Sequence, residues 1–163
     1  MEIFLIVLLL IVLVFFVVSL IIVYNKLSKY QDRLNNSYKE LFNLINIKVL
    51  CLNSSLKNKR SELETNINKR LNEFPVLSTK EDIINSSLML DRELNDLFLY
   101  YDSNKIDYKK LKKEIDKINE EFISVKKEYN DNVLRFNNLL KMFPISLISS
   151  LFGFNEWQYY RND

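Results

Sequence analysis

The hydrophobic pattern begins with an unbroken apolar segment. Ile3 to Val23 consists of Ile, Leu, Val and Phe residues interrupted only by Ser19. At about 1.5 Å per residue, a helix of this length spans the hydrocarbon core of a bilayer, which is about 30 Å thick. Tyr24 follows directly, where an amphipathic ring favours the membrane–water interface. We therefore expect a transmembrane helix over residues 3–23, after a flank of residues 1–2.

A cleaved signal peptide is the competing interpretation of this segment. Such a peptide has a basic n-region, a shorter apolar core and a small-x-small cleavage site. Here only Met1 and Glu2 precede the core, and no Ala or Gly follows it directly, so we expect an uncleaved anchor. Lys26, Lys29 and Arg33 lie after the span. The positive-inside rule then predicts a short N-terminus outside the cell and a cytoplasmic C-terminal domain.

Helical periodicity continues beyond the apolar segment. Leucines recur at every seventh position: Leu27, Leu34 and Leu41. No Pro or Gly occurs before Pro75, so the pattern predicts one long helix from about residue 3 to about residue 72. Its weak point is Asn53-Ser54-Ser55, because short polar side chains compete for backbone hydrogen bonds. A break there would give four long helices instead of three.

A second helix is predicted after Pro75, which ends the first because the residue before a proline avoids the helical region. Ser78-Thr79-Lys80-Glu81 has the pattern of a capping box, with Ser78 as the N-cap and Glu81 at the third helical position. A stripe then follows at alternating spacings of four and three: Ile83, Ser87, Leu90, Leu94, Leu97 and Tyr101. The turn residues 102–104 end this helix.

The third stripe is the longest, and its members recur at intervals of three and four: Leu111, Ile115, Ile118, Phe122, Val125, Tyr129, Val133, Phe136, Leu140 and Phe143. Pro144 and Gly153 are suited to open and to close a short further helix. Because each stripe is one-sided and the connections are short, the sequence predicts an all-α fold. The transmembrane helix continues into an antiparallel up-and-down bundle over residues 24–143, and an apolar, aromatic tail follows over residues 144–163.

Composition limits the chemistry. The 163 residues include one Gly, two Pro and no His. A single Gly favours long helices over a turn-rich β fold and leaves no Gly-rich phosphate loop. Without His there is no imidazole base and no His-ligated metal. Cys51 is the single cysteine and is more typical of a small buried residue than of a reactive thiol. We expect no catalytic, cofactor-binding or metal-binding residues.

Several short motifs resemble those of the LemA family. They are Tyr24-Asn25, Phe74-Pro75, Tyr129-Asn130, Val133, Phe136-Asn137, Phe143-Pro144 and Gly153-Phe154. The resemblance covers nearly the whole chain, although Ile45 to Leu71 lacks the family's basic pair and its L-x-P-N-L-V run, and Tyr38 stands where a Trp is frequent. It implies a bacterial, single-pass protein of the cell membrane with a helical-bundle domain, and it implies no reaction.

Two polar or aromatic features have alternative interpretations. Asn130 and Asn137 are seven residues apart, so they share one helix face. We favour a structural role, in which the amides fix helix register, over a polar binding surface. The tail ends with the aromatic residues Phe154, Trp157, Tyr159 and Tyr160. We favour packing of this tail on the chain's own bundle over contact with a partner or with the bilayer surface.

These features predict a non-enzymatic, membrane-anchored interaction or scaffold protein. Its expected partners are the lipid bilayer and an unidentified protein, and a homo-oligomer is left open. A net charge of +2 provides no basic footprint for nucleic acid. The main alternative is a bitopic coiled-coil protein of the cell-division type, which Pro75 and the two later stripes disfavour. An enzyme with an unrecognised site is a third, less favoured class.

Overall fold

The computed structural model describes residues 1–56, 62–101 and 106–161. All regular structure in these ranges is helical: α1 (Glu2–Leu56), α2 (Glu62–Glu73), a short 3-10 helix (Phe74–Val76), α3 (Lys80–Tyr100), α4 (Ile106–Lys141) and α5 (Ile145–Leu151). The prediction of an all-α bundle with a long apolar N-terminal helix is confirmed.

The chain forms two compact units. Unit 1 contains Met1–Asn36 and Asp131–Trp157, and unit 2 contains Ser37–Asn130 and Gln158–Asp163. Helices α1 and α4 therefore each contribute residues to both units. The stripe of α1 supplies core residues to each unit, Leu27 and Leu34 to unit 1 and Leu41 and Ile45 to unit 2.

The apolar segment forms the first part of α1, which is long and apolar enough to cross a membrane. Residues 3–19, 21 and 22 are exposed in the fold, whereas Leu20 and Val23 are partly covered. From Leu27 onward α1 has a buried side, beginning with Leu27 and Leu34, which are fully buried. The helix thus changes from an all-round apolar surface to a one-sided stripe within a few residues.

The predicted single helix over residues 3–72 is wrong, because α1 ends at Leu56 and α2 is a separate helix. The side-chain amide of Asn68 donates a hydrogen bond to the carbonyl oxygen of Leu56 at 3.3 Å. In a continuous helix, residues twelve positions apart would be about 18 Å apart along the axis. The chain therefore folds back after α1, as in the alternative with a divided first helix.

The predicted weak point at Asn53-Ser54-Ser55 lies inside α1. Ser54 Oγ donates to the carbonyl oxygen of Cys51 at 2.7 Å, so its hydroxyl is satisfied within the helix and does not break it. The residues between Leu56 and Glu62 lie outside the described ranges.

The start of α3 differs from the predicted capping box by one residue. Its N-cap is Thr79, whose Oγ1 accepts a hydrogen bond from the backbone N–H of Asp82 at 3.0 Å. The same hydroxyl donates to Asp82 Oδ2 at 2.6 Å. Ser78 is therefore not the cap. Thr79 and Asp82 have the same spacing as Ser78 and Glu81, and an acidic group at either position suits the helix N-terminus.

The predicted stripes supply the cores of the two units. In unit 2 the fully buried side chains include Leu41, Ile45, Leu52, Ile67, Leu71, Leu90 and Leu97, and in unit 1 they include Leu27, Leu34, Val133 and Phe136. Two stripe positions were wrong. Ile84 is buried in place of Ile83, which is only partly covered. Phe143 is 81% exposed, because α4 ends at Lys141 before the stripe reaches it.

Candidate functional site

In unit 1, Asn137 holds the backbone of the tail. This side chain is almost fully buried on α4. Its Nδ2 donates to the carbonyl oxygen of Trp157 at 2.8 Å, and its Oδ1 accepts from the backbone N–H of Trp157 at 2.9 Å. One amide thus satisfies both backbone groups of one residue, which is the pairing that a neighbouring β-strand would provide.

The end of α5 directs the chain toward Asn137. Gly153 has a φ of 71°, the left-handed conformation that side chains disfavour, and follows the last turn of α5. The next backbone N–H, that of Phe154, donates to the carbonyl oxygen of Ser149 at 2.9 Å, as in a Schellman motif. The ring of Phe154 then lies 6.5 Å from that of Phe136 and 5.9 Å from that of Tyr24. The Gly-Phe pair therefore ends a helix and packs the tail.

In unit 2, Asn130 repeats the arrangement of Asn137 with a different tail residue. Its Nδ2 donates to the carbonyl oxygen of Tyr160 at 2.9 Å, and its Oδ1 accepts from the N–H of Tyr160 at 2.8 Å. The neighbouring Tyr129 donates its hydroxyl to the carbonyl oxygen of Gln158 at 2.6 Å. The Tyr-Asn pair of α4 therefore binds two residues of the tail through their backbone.

The side chain of Tyr160 is buried in unit 2, with 1% of its surface exposed. Its hydroxyl shares a hydrogen bond with Ser87 Oγ at 2.8 Å and donates to Asp91 Oδ2 at 3.4 Å. Its ring lies 5.2 Å from that of Phe122, and the Lys126 ammonium is 5.3 Å from the ring centroid. Burial raises the pKa of Tyr160 well above its ordinary value, and the Asp91 carboxylate raises it further. Tyr160 is therefore a neutral hydrogen-bonding group at physiological pH.

Lys48 is the charged residue of this cluster, and only 2% of its surface is exposed. Its Nζ lies 2.8 Å from Asp91 Oδ1 and 4.8 Å from the centroid of the Phe122 ring. The apolar pattern of the sequence does not predict the roles of Lys48, Asp91 and Ser87. A signal was present, because position 48 continues the seven-residue repeat of Leu27, Leu34 and Leu41. A lysine at a core position requires an acidic partner.

A groove of about 770 Å³ lies between α3 and α4 in unit 2. Charged side chains of both signs line it: Asp91, Asp116, Lys112 and Lys126. Two of its apolar lining residues are largely exposed, Leu99 at 78% and Ile123 at 68%. Apolar side chains exposed in a concave, mixed-charge surface are typical of a surface that binds another protein.

We searched the described residues for an activated nucleophile and for a metal site. The Cys51 thiol donates to Glu114 Oε2 at 3.5 Å, and burial, with the help of Glu114, raises its pKa. Both effects disfavour the thiolate, which is the nucleophilic form. In the part of the chain that the structure describes, no group of three or more Cys, Asp or Glu side chains is placed to hold a metal ion.

The remaining motif positions are distributed over both units. Tyr24 is half-exposed at the end of the apolar segment, Asn25 beside it is exposed, and Val133 is fully buried. In unit 2, Phe74 is buried and Pro75 lies in the first turn of the 3-10 helix. Phe143 and Pro144 are exposed. Asn130 and Asn137 have structural contacts, as expected, but with a different partner. They bind the backbone of the tail and do not fix the register of another helix.

The motif residues of α4 and of the segment after it thus hold the C-terminal part of the chain in place. The model of the LemA family matches residues 33–163, which include both asparagines and the residues that they bind. No curated protein matches the chain, and no solved structure does. Because the family match extends over most of the chain, this protein belongs to the LemA family.

Proposed function

We propose that this protein is a single-pass protein of the cell membrane that acts as an interaction or scaffold protein and not as an enzyme. The observation that carries the anchoring is the surface of α1. Residues 3–18 are apolar and exposed in the fold, and the same helix continues into the buried Leu27 and Leu34. Such a surface is far larger than the apolar patches of soluble proteins, and a bilayer would cover it.

The proposed orientation places the residues after the span, 24–163, in the cytoplasm. It rests on Lys26, Lys29 and Arg33, which follow the apolar segment closely. The test uses a chain in which Cys51→Ser removes the native thiol and Glu128→Cys adds an exposed one on α4. A thiol reagent that cannot cross membranes should label it only after the cells are permeabilised. Equal labelling in intact cells would show the opposite orientation.

The interaction role is supported by the contrast between the inside and the surface of unit 2. The polar groups around Tyr160 bind one another, so this cluster is structural. The groove between α3 and α4 borders this cluster, because Asp91, Phe122 and Lys126 line it, and it also exposes Leu99 and Ile123. We propose that this groove receives a helix of a partner protein, because its mixture of apolar and charged side chains suits an amphipathic helix.

Site-specific crosslinking in intact membranes tests this role. A photoreactive residue at Ile123 should give adducts with one recurrent protein, identified by mass spectrometry. Glu121 is a matched control, since it is exposed on the same helix and two residues turn an α-helix by about 200°. Leu99→Glu should remove the adducts at Ile123 if the groove is the binding surface. Equal adducts from both positions, or adducts that survive Leu99→Glu, would contradict it.

The fold-back contacts in unit 2 argue against the extended coiled-coil alternative. The Asn68–Leu56 hydrogen bond and the binding of residues 158–160 to α4 require a chain that folds back, which an extended coiled coil does not do. The purified chain in detergent should therefore unfold cooperatively, with the tail protected from proteases. The enzyme alternative would gain support from a cofactor that copurifies with the chain.

A further inference from the structure

The segment around α5 carries an apolar surface that the rest of unit 1 does not cover. Residues 142–155 contain no charged side chain, and the residues that border them, Lys141 and Glu156, form an ion pair at 3.1 Å. Within α5, Ile145, Ile148 and Ser149 face the core and are buried. The opposite side of α5 exposes Leu147 at 61% and Leu151 at 80%, and Phe143, two residues before the helix, is exposed at 81%. These three apolar residues have a spacing of four, and we call them the α5 stripe.

The position of this segment within unit 1 is fixed by aromatic contacts with α1. The ring of Phe152 lies 5.1 Å from that of Tyr24, and the ring of Phe154 lies 5.9 Å from it. Tyr24 is the first residue after the apolar segment. Leu20 and Val23 are partly covered, unlike the rest of that segment. The folded part of unit 1 therefore reaches the last turn of the span, at the level where a bilayer would end.

We propose that the α5 stripe enters the interfacial layer of the bilayer that holds α1, as a second and shallow membrane contact. This rests on the proposed anchoring. The stripe adjoins the span through Phe152, whose ring contacts that of Tyr24. It lacks charge and consists of Phe and Leu, as expected of an element at the boundary of headgroups and acyl chains. A protein partner is less suited, because interfaces between proteins usually add polar and charged groups around an apolar centre.

Depth-dependent fluorescence quenching in the full chain tests the proposal. Starting from Cys51→Ser, single cysteines replace Leu147 or Leu151 and carry an environment-sensitive fluorophore. The protein is reconstituted in vesicles of phosphatidylcholine and phosphatidylglycerol with a lipid spin-labelled near the headgroup or, to read position 10, with a lipid spin-labelled deep in the acyl chain. Leu10→Cys reports the span. Leu134→Cys is the matched control, because it is also an exposed leucine of unit 1 but lies about 10 Å along α4 before Lys141.

The expected result is quenching of about twofold or more at positions 147 and 151, with a blue-shifted emission, and little quenching at position 134. The circular dichroism of each labelled chain checks that it folds. Quenching at position 10 but at neither 147 nor 151 would overturn the shallow contact and leave the anchor intact. Absence of quenching at all positions would overturn both. Equal quenching at 134 and 147 would show general adsorption and would also overturn the proposal.

Discussion

Asn137 and Trp157 form a closed pair, in which one side-chain amide binds both backbone groups of one residue, at 2.8 and 2.9 Å. The pair joins α4 to the tail within unit 1, and neither hydrogen bond of the buried Asn137 amide involves the indole ring of Trp157. Asn137 of the family motif therefore binds the tail through its main-chain atoms.

Replacing Asn137 by Ala should lower the free energy of unfolding by about 1–3 kcal/mol, since each hydrogen bond contributes about 0.5–1.5 kcal/mol. Asn138→Ala is the matched control, because Asn138 is exposed on the same helix turn and should change stability by less than about 0.5 kcal/mol. Denaturant unfolding in detergent measures both. Equal effects of the two substitutions would contradict a role for the Asn137–Trp157 pair.

Two ion pairs of unit 2 should differ in their contribution to stability. Lys48 is 2% exposed and its partner Asp91 is 24% exposed, whereas Arg70 and Glu93 are 22% and 25% exposed. Lys48→Met should lower the free energy of unfolding by about 2–3 kcal/mol, because it leaves the Asp91 carboxylate partly buried without its ammonium partner. Arg70→Met should cost about 1 kcal/mol or less, since a more exposed pair is screened by water. Thermal unfolding compares them, and the reverse order would refute the buried network.

Truncation of two aromatic residues separates the core from the tail. Phe136 is fully buried, so Phe136→Ala should destabilise the chain by about 3–5 kcal/mol. Trp157 is only partly buried, and its backbone is bound independently of its ring, so Trp157→Ala should cost about 1–2 kcal/mol. If Trp157→Ala instead leaves the melting temperature unchanged and removes crosslinks to a partner, the tail is a docking surface.

Stability should fall at alkaline pH through the buried tyrosines. Burial raises the folded-state pKa of Tyr160 and of Tyr129 above the ordinary value of 10.0, with further contributions from Asp91 and from Tyr38 respectively. In the unfolded chain these tyrosines ionise near pH 10, while the fold keeps them protonated. Their stabilisation is thus complete below about pH 10 and is lost above it, at up to about 1.4 kcal/mol per pH unit for each group.

Urea unfolding at pH 8 and pH 11 measures this loss. Tyr160→Phe cannot ionise at this position, so it should lose less stability between the two pH values than the unaltered chain. Tyr100→Phe is the control, because Tyr100 is 73% exposed, and it should retain the full loss. An unchanged loss in Tyr160→Phe would contradict the burial of the Tyr160 hydroxyl.

The sequence predicts the helices well where a stripe is long and uninterrupted. The apolar segment, α3 and α4 follow directly from the spacing of their apolar residues. The end of α1 at Leu56 could not be derived in this way, because its stripe continues in α2 without a Pro or Gly between them. Ser78 and Thr79 are both good N-cap residues, and each has an acidic residue three positions later, so local pattern does not separate them.

The polar parts of the site were harder to predict, since their partners are distant in sequence. Asn130 binds Tyr160 across thirty positions, and Lys48 binds Asp91 across 43. A spacing rule along one helix identifies Asn130 and Asn137 as a pair, but it cannot reveal that each binds tail backbone. Phe143 was misplaced for a related reason: a stripe indicates which side of a helix is apolar, and here the helix ends first.

The hydrogen bonds from Asn137 also bear on which residues can vary. They involve the N–H and the carbonyl oxygen of Trp157, which every amino acid except proline possesses. Position 137 therefore requires a side chain that offers a donor and an acceptor in a fixed plane, while these two bonds exclude only proline at position 157. Substitution at position 157 is consequently compatible with an unchanged backbone attachment there, whereas substitution at position 137 is not.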